Sequence, residues 1–201
     1  MDPYQRYSLF QVTSDTTEPV GTSDVRAHSR IDITTDDVMI ARLITAARQY
    51  VETWTHRTLV TKTFDLRMDR FPDGEIRLPG PPIQSVSSVK YVASTAADST
   101  TLTTMASSDY LVDIWSEPGL VNRDFEVDWP DTKEVPNAVV VRYVAGYLEP
   151  ATKALPAALK QAILLKVADF YEHRESVVLG APSREVDFTF SALCGSYRFG
   201  D

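Results

Sequence analysis

The stretch that most constrains the fold is residues 35–60, TDDVMIARLITAARQYVETWTHRTLV. Ile40, Leu43, Ile44, Ala47, Val51 and Trp54 recur at helical spacing and share one face. Thr35 or Asp36 suits the N-cap, and Asp37 faces the positive end of the helix dipole. His56 and Arg57 stand near the other end, where positive side chains are favoured. The spacing predicts a long amphipathic helix over residues 36–56, whose apolar face another element must cover. From Leu59 the period changes, so the helix runs directly into a strand.

Residues 60–69, VTKTFDLRMD, alternate apolar and polar side chains, the pattern of a strand with one covered face. A turn at Phe71-Pro72-Asp73-Gly74 leads to a short strand over 75–78, stopped by Pro79-Gly80-Pro81-Pro82. Strands are expected over 83–93, 101–105 and 110–114, with 120–121 and 125–129 as paired strands or one bulged strand. Residues 138–145, AVVVRYVA, are the most apolar of the set and hence central. Short strands with no helix-length segment between them favour an antiparallel meander over a βαβ fold.

Helical spacing returns after Pro156, which suits a first turn. Leu159, Ile163, Val167, Phe170 and Tyr171 form its stripe. A last short helix is expected over 188–197, carrying Phe190, Leu193, Cys194 and Tyr197, before a free tail, RFGD. Ahead of the long helix, residues 7–12 read as a short strand or strap and residues 22–31 as a short capped helix. The fold class is α+β: two long amphipathic helices and short flanking helices packed together, with an antiparallel β module inserted between the long helices. The expected divisions are an extended N-terminal arm (1–21), a helical core (22–58 and 151–181), the β module (59–150) and a C-terminal short helix and tail (182–201).

Chemistry is sparse. The 28 acidic and 20 basic residues give a net charge of −8, against a general nucleic-acid coat. The single cysteine, Cys194, has no intrachain partner and reads as a small buried apolar side chain. The opening MDPYQRYSLF lacks a signal-peptide pattern, and no run reaches the roughly 18 apolar residues of a membrane span. There is no glycine-rich phosphate cradle, no HExxH, no CxxC and no GxSxG. His28, His56 and His173 are scattered over three elements. Asp65, Asp69, Asp109, Asp113, Asp124, Glu126 and Asp128 fit the wet positions of half-buried strands. Catalysis would require several of them to converge in one cleft. No catalytic residue, metal or cofactor is expected, and the chain reads as a structural or interaction protein of the kind that closes by symmetry.

Several stretches, in order, carry a family resemblance. They are DVRAHSRID with TTDDVMIARLITAARQYVETWTHRTLV, then TKTFDLRMDRFPDGEIRLPGPPIQSVSSVKYV, SSDYLVD, VVVRYVAGY and LPAALKQAILLKVADFYEHRESVV. This set resembles the head–tail connector, or adaptor, proteins of tailed bacteriophages, in the subgroup with a β-rich insert that also occurs in gene transfer agents. It covers roughly residues 7–180. One departure is Ser29, where the family's short first helix usually carries a leucine.

The resemblance implies a non-enzymatic virion protein at the head–tail junction, made in the bacterial cytoplasm. About twelve copies would form a ring beneath the portal protein, extending the DNA channel and docking the next neck or tail component, a stopper or tail terminator. DNA would pass without specific binding, which an acidic body suits, and no membrane is involved. Leu43, Ala47, Tyr50, Val51 and Trp54 would pack against Leu159, Ile163, Val167 and Phe170. Arg48, Arg57, Arg174 and Glu175 would make polar contacts around the ring. Phe188, Phe190, Leu193, Tyr197, Arg198 and Phe199 would belong to a portal-facing tail. The competing readings are another neck completion or terminator ring protein, an enzyme using acidic strand residues, and a monomeric binding module.

Overall fold

The computed structural model describes residues 7–14, 16–147, 153–173 and 184–200, with the backbone alone for 184–187. Two compact units divide the chain. One takes the N-terminal strand and residues 61–147; the other takes residues 16–60 and the part beyond 147.

The first unit is β. Its strands are β1 (Tyr7–Ser14), β2 (Lys62–Met68), β3 (Ile76–Leu78), β4 (Ile83–Tyr91), β5 (Thr103–Thr104), β6 (Tyr110–Asp113), β7 (Gly119–Arg123) and β8 (Val139–Ala145). They form a five-stranded sheet in the order β1-β2-β8-β4-β5 and a three-stranded sheet in the order β3-β7-β6. Every pairing is antiparallel. The order is not the expected sequential meander, because the last strand, β8, inserts between β2 and β4. The apolar run predicted as central does occupy the centre. Phe64, Leu66 and Met68 of β2 stand opposite Tyr143, Val141 and Val139 of β8. These side chains are buried in one core with Ile76, Leu78 and Val121 of the smaller sheet. Burying each such side chain contributes about 1.5–3 kcal/mol. The Tyr143 hydroxyl, which burial would otherwise strand, donates to the Pro79 carbonyl at 2.8 Å.

Residues 125–129 form no strand. The chain turns at Asp124, Glu126 takes a left-handed φ of 64°, and Phe125 is 85% exposed. Trp129 instead stacks on Phe71, with ring centroids 4.8 Å apart.

The second unit is helical: α1 (Thr22–Ser29), α2 (Asp37–Thr55), α3 (Ala157–Glu172) and α4 (Arg184–Cys194), followed by a 3-10 turn (Gly195–Tyr197). Helix α2 lies within a residue of the bounds that periodicity predicts, and α3 begins directly after Pro156. Helix α2 buries Ile40, Ile44, Ala47, Val51 and Thr55, and packs on α3, which buries Leu159, Ala162, Ile163 and Val167. Asp36 precedes α2, but its carboxylate makes no cap bond. It accepts a 2.7 Å hydrogen bond from the Tyr171 hydroxyl, tying the start of α2 to the end of α3.

Candidate functional site

The helical unit holds most of the residues that the resemblance singles out. Ala47, Val51, Leu159, Ile163 and Val167 are fully buried. Leu43, Trp54 and Phe170 are half-buried. Tyr50 departs from the core set and is 41% exposed. It sits at the margin of the α2 face, where the Lys166 ammonium lies 4.6 Å from its ring centroid. Lys166 also lies 5.0 Å from the Phe170 ring and pairs with Asp169 at 2.7 Å.

Arg48 is buried rather than presented on the surface. Its Nε donates to Glu18 Oε2 at 2.7 Å, its Nη2 to Glu18 Oε1 at 3.2 Å and its Nη1 to Glu52 Oε2 at 2.9 Å. Burial by itself lowers the Arg48 pKa, but the Glu18 and Glu52 carboxylates outweigh it and the pKa is raised. Glu52 Oε1 also accepts from the Leu59 amide at 2.9 Å, which fixes the chain as it leaves α2. The i, i+4 spacing of Arg48 and Glu52 was a readable signal. Glu18 lies 30 positions away and carried none.

The C-terminal segment is docked, not free. Phe190 is buried edge-on between Tyr50 and Trp54, with centroids at 5.4 and 5.6 Å. Cys194 is fully buried, and burial pushes its thiol up to about 11. Arg57 Nε donates to the Tyr197 carbonyl. The Phe199 amide donates to the Thr55 carbonyl at 2.9 Å, and the Arg198 guanidinium lies 5.4 Å from the Trp54 ring centroid. The expected free tail after residue 197 is therefore corrected: the carbonyl end of α2, at buried Thr55, takes up the returning chain. Leu193 and Tyr197 are half-buried, while Phe188 is 77% exposed. Arg174 and Glu175 lie outside the described residues.

The acidic strand residues are occupied separately. Asp65 is 2% exposed and lies opposite Arg142 across β2 and β8. Arg142 grips it with two bonds, 2.7 Å from Nε and 2.9 Å from Nη2. Those bonds hold the Asp65 carboxyl below the ordinary carboxylate range against the opposing effect of burial. Asp69 accepts from the Asn137 amide at 2.8 Å. Asp113 accepts from the Trp115 amide at 2.8 Å and the Ser116 amide at 3.1 Å. Among the described residues no group of three or more His, Cys, Asp or Glu is placed to hold a metal ion. Among them, too, no helix is long and apolar enough to cross a membrane.

Comparison with known proteins agrees with this geometry. Residues 22–101, from α1 through β4, match the family model described as Phage gp6-like head-tail connector protein. A search by sequence against curated proteins found no match. Three solved structures share the fold over 96% of this chain and 96% of theirs. A chain in the virion of a native gene transfer agent particle is 21% identical with a TM-score of 0.74. One in the neck of the empty particle, computed with C6 symmetry, is 22% identical with a TM-score of 0.70. One in the neck of the native particle, computed with C12 symmetry, is 20% identical with a TM-score of 0.66. Helices α1 and α2 and strands β2 to β4 fall in the segment that is similar to the phage gp6-like head-tail connector family.

Proposed function

We propose that this chain is a structural connector subunit of a tailed phage or a phage-like particle, present as one copy in a ring at the head–tail junction. The observation that carries this reading is the connector-family match over residues 22–101, which takes in α2, the helix that organises the unit. The shared fold supports it, and the C12 symmetry of one such neck suggests about twelve copies. The ring sits under the portal protein, extends the DNA channel, and offers its far side to a stopper or tail terminator. A net charge of −8 keeps phosphates from adhering along that path.

The helical unit supplies the rigid body of each subunit. Arg48 and Glu18 brace it internally, and Arg57 holds the C-terminal segment against α2. The portal contact is made from the C-terminal segment, where Phe188 projects beside the docked Phe190. A large exposed aromatic next to a fixed one is a ready anchor for a partner pocket.

The test is to mix the purified protein with the portal from the same gene cluster, size the product by light scattering and image it by electron microscopy. A ring of about twelve subunits capping the portal is expected. Failure to bind portal at micromolar concentration sinks the reading. Binding to a tail-tube or tail-completion protein instead assigns the chain to a lower position in the neck.

A further inference from the structure

The two sheets of the β unit leave a gap on one flank. A cavity of about 250 Å³ opens there, lined by Tyr7 of β1, the end of β2, the turn over residues 70–75 and the start of β3. Its floor is core: Leu66, Met68, Phe71 and Ile76 line it and are buried. Apolar groups gain by leaving water for such a floor. The rim is charged and balanced. Arg70 and Arg77 stand against Asp73 and Glu75, and Arg77 pairs with Glu75 at 3.0 Å. A balanced rim selects neither a polyanion nor a polycation. It suits a segment with apolar side chains and one charge of each sign.

The chain brings such a segment to the mouth. Six residues, MDPYQR, precede Tyr7, the first described residue, which itself lines the cavity. They hold Met1, Pro3 and Tyr4 with one acid, Asp2, and one base, Arg6. Six extended residues reach about 20 Å, enough to cross an opening of this size.

We infer that residues 1–6 strap across this cavity of their own chain, with Arg6 on Asp69, Tyr4 on the apolar floor and Asp2 facing the arginines of the rim. The register of β1 on β2 sets the entry. Tyr7 stands opposite Met68 and Ser8 opposite Arg67, so one further step sets Arg6 opposite Asp69. Asp69 is exposed, accepts a 2.8 Å hydrogen bond from the Asn137 amide and pairs with no cation among the described residues. Past that step the ladder has no partner to follow, because β2 ends at Met68 and the chain bends away toward Phe71-Pro72. Pro3, which lacks an amide hydrogen, suits a segment that has left the ladder. Tyr4 fits the cavity at both ends, its ring on the floor and its hydroxyl at the polar rim. The strap closes the side where β1 and β3, each an edge of its sheet, line one opening. It also covers the start of β1, which has no charge or proline of its own to guard it. Every group involved belongs to one unit of one chain, so the inference does not rest on the connector reading.

The test links the segment to the far lip of the cavity in the full chain, with Gln5→Cys, Gly74→Cys and a short bismaleimide. A Cβ at Gly74 meets nothing within 4 Å. Cys194, fully buried with its thiol pushed up to about 11, stays unreacted. Trypsin cuts after Arg6, Arg70 and Arg77, so the bridge should appear in mass spectra as the peptide ending at Arg6 joined to residues 71–77. It should form within monomers. Deleting residues 2–6 should lower the thermal midpoint by about 4 °C or more, and Tyr4→Ala should give at least half of that shift. A bridge found only in dimers overturns the inference in favour of an arm exchanged between copies. No bridge overturns it as well. So does a bridge with an unchanged midpoint on deletion, the mark of a segment tethered near the cavity without occupying it. The deletion needs no cysteine and decides alone should the double variant fail to give the wild-type circular dichroism spectrum.

Discussion

Arg48 and Glu18 face each other fork to fork, with Nε on Oε2 at 2.7 Å and Nη2 on Oε1 at 3.2 Å. The pair joins the segment before α1 to the middle of α2 and lies mostly out of solvent, the two side chains being 7 and 24% exposed. Glu18→Ala should therefore destabilise the protein by about 1–3 kcal/mol, since Arg48 keeps Glu52 but loses its bidentate partner. Glu18→Leu with Arg48→Met should cost less than the sum of the two single changes, because the double variant strands neither Glu18 nor Arg48, and the carboxylate left without its cation, Glu52, keeps the Leu59 amide. Urea unfolding of Glu18→Ala, and of the wild type, Glu18→Leu, Arg48→Met and the double variant as a cycle, measures this. Strict additivity would show that the fork contributes nothing as a pair.

The same residue marks where sequence reading stops. Ile40, Ile44, Ala47 and Val51 announced their helix by spacing alone, and residues 138–145 announced a central strand by apolar content. Both signals are local. Arg48 read as a surface residue because burying a guanidinium needs partners, and Glu18 is supplied from a different segment. Phe190 read correctly as one side of a helix, but no period says which neighbour that side meets. Its seat between Tyr50 and Trp54 is a tertiary fact. Residues 125–129 misled for a physical reason as well: Phe125 and Val127 are strand formers, yet Asp124 and the left-handed Glu126 turn the chain out of the sheet.

Asp65 gives the protein a pH-dependent component with a definite sign. Its folded pKa lies below the ordinary value because Arg142 binds the ionised form. The stability it supplies is thus fully present above the unfolded carboxyl pKa of about 3.9, and is lost as pH falls through its lower folded pKa. Asp65→Asn should be less stable than wild type at neutral pH by about 1–2 kcal/mol, a value kept small because Arg142 is 46% exposed and remains hydrated. The two unfolding curves should converge as pH drops from about 5 toward 2. A gap that stays constant over that range would assign the loss to packing rather than to ionisation.

Gly119 is set by space, not by backbone angle. A Cβ there would lie 2.5 Å from Ile83 Cγ1 and 3.0 Å from Ile83 Cβ, and neither atom is the end of a flexible chain. Gly119→Ala should push β7 away from β4 and cost about 1–3 kcal/mol. Gly74→Ala, where nothing lies within 4 Å, is the control. It should fall within about 0.5 kcal/mol of wild type. Equal melting temperatures for the two variants would contradict the close approach.

Phe188 and Phe190 are two residues apart and should behave oppositely. Phe190 is 5% exposed between two aromatic rings, so Phe190→Ala should cost about 3–5 kcal/mol and loosen the segment from α2. Phe188 is 77% exposed, so Phe188→Ala should leave stability within about 0.5 kcal/mol of wild type. If this segment carries the portal contact, Phe188→Ala should nonetheless weaken portal binding tenfold or more, about 1.4 kcal/mol. Thermal unfolding and a portal titration on the same samples separate the two effects. Unchanged portal affinity in a folded Phe188→Ala protein would move the contact away from this aromatic, because a fully folded subunit would then bind without it.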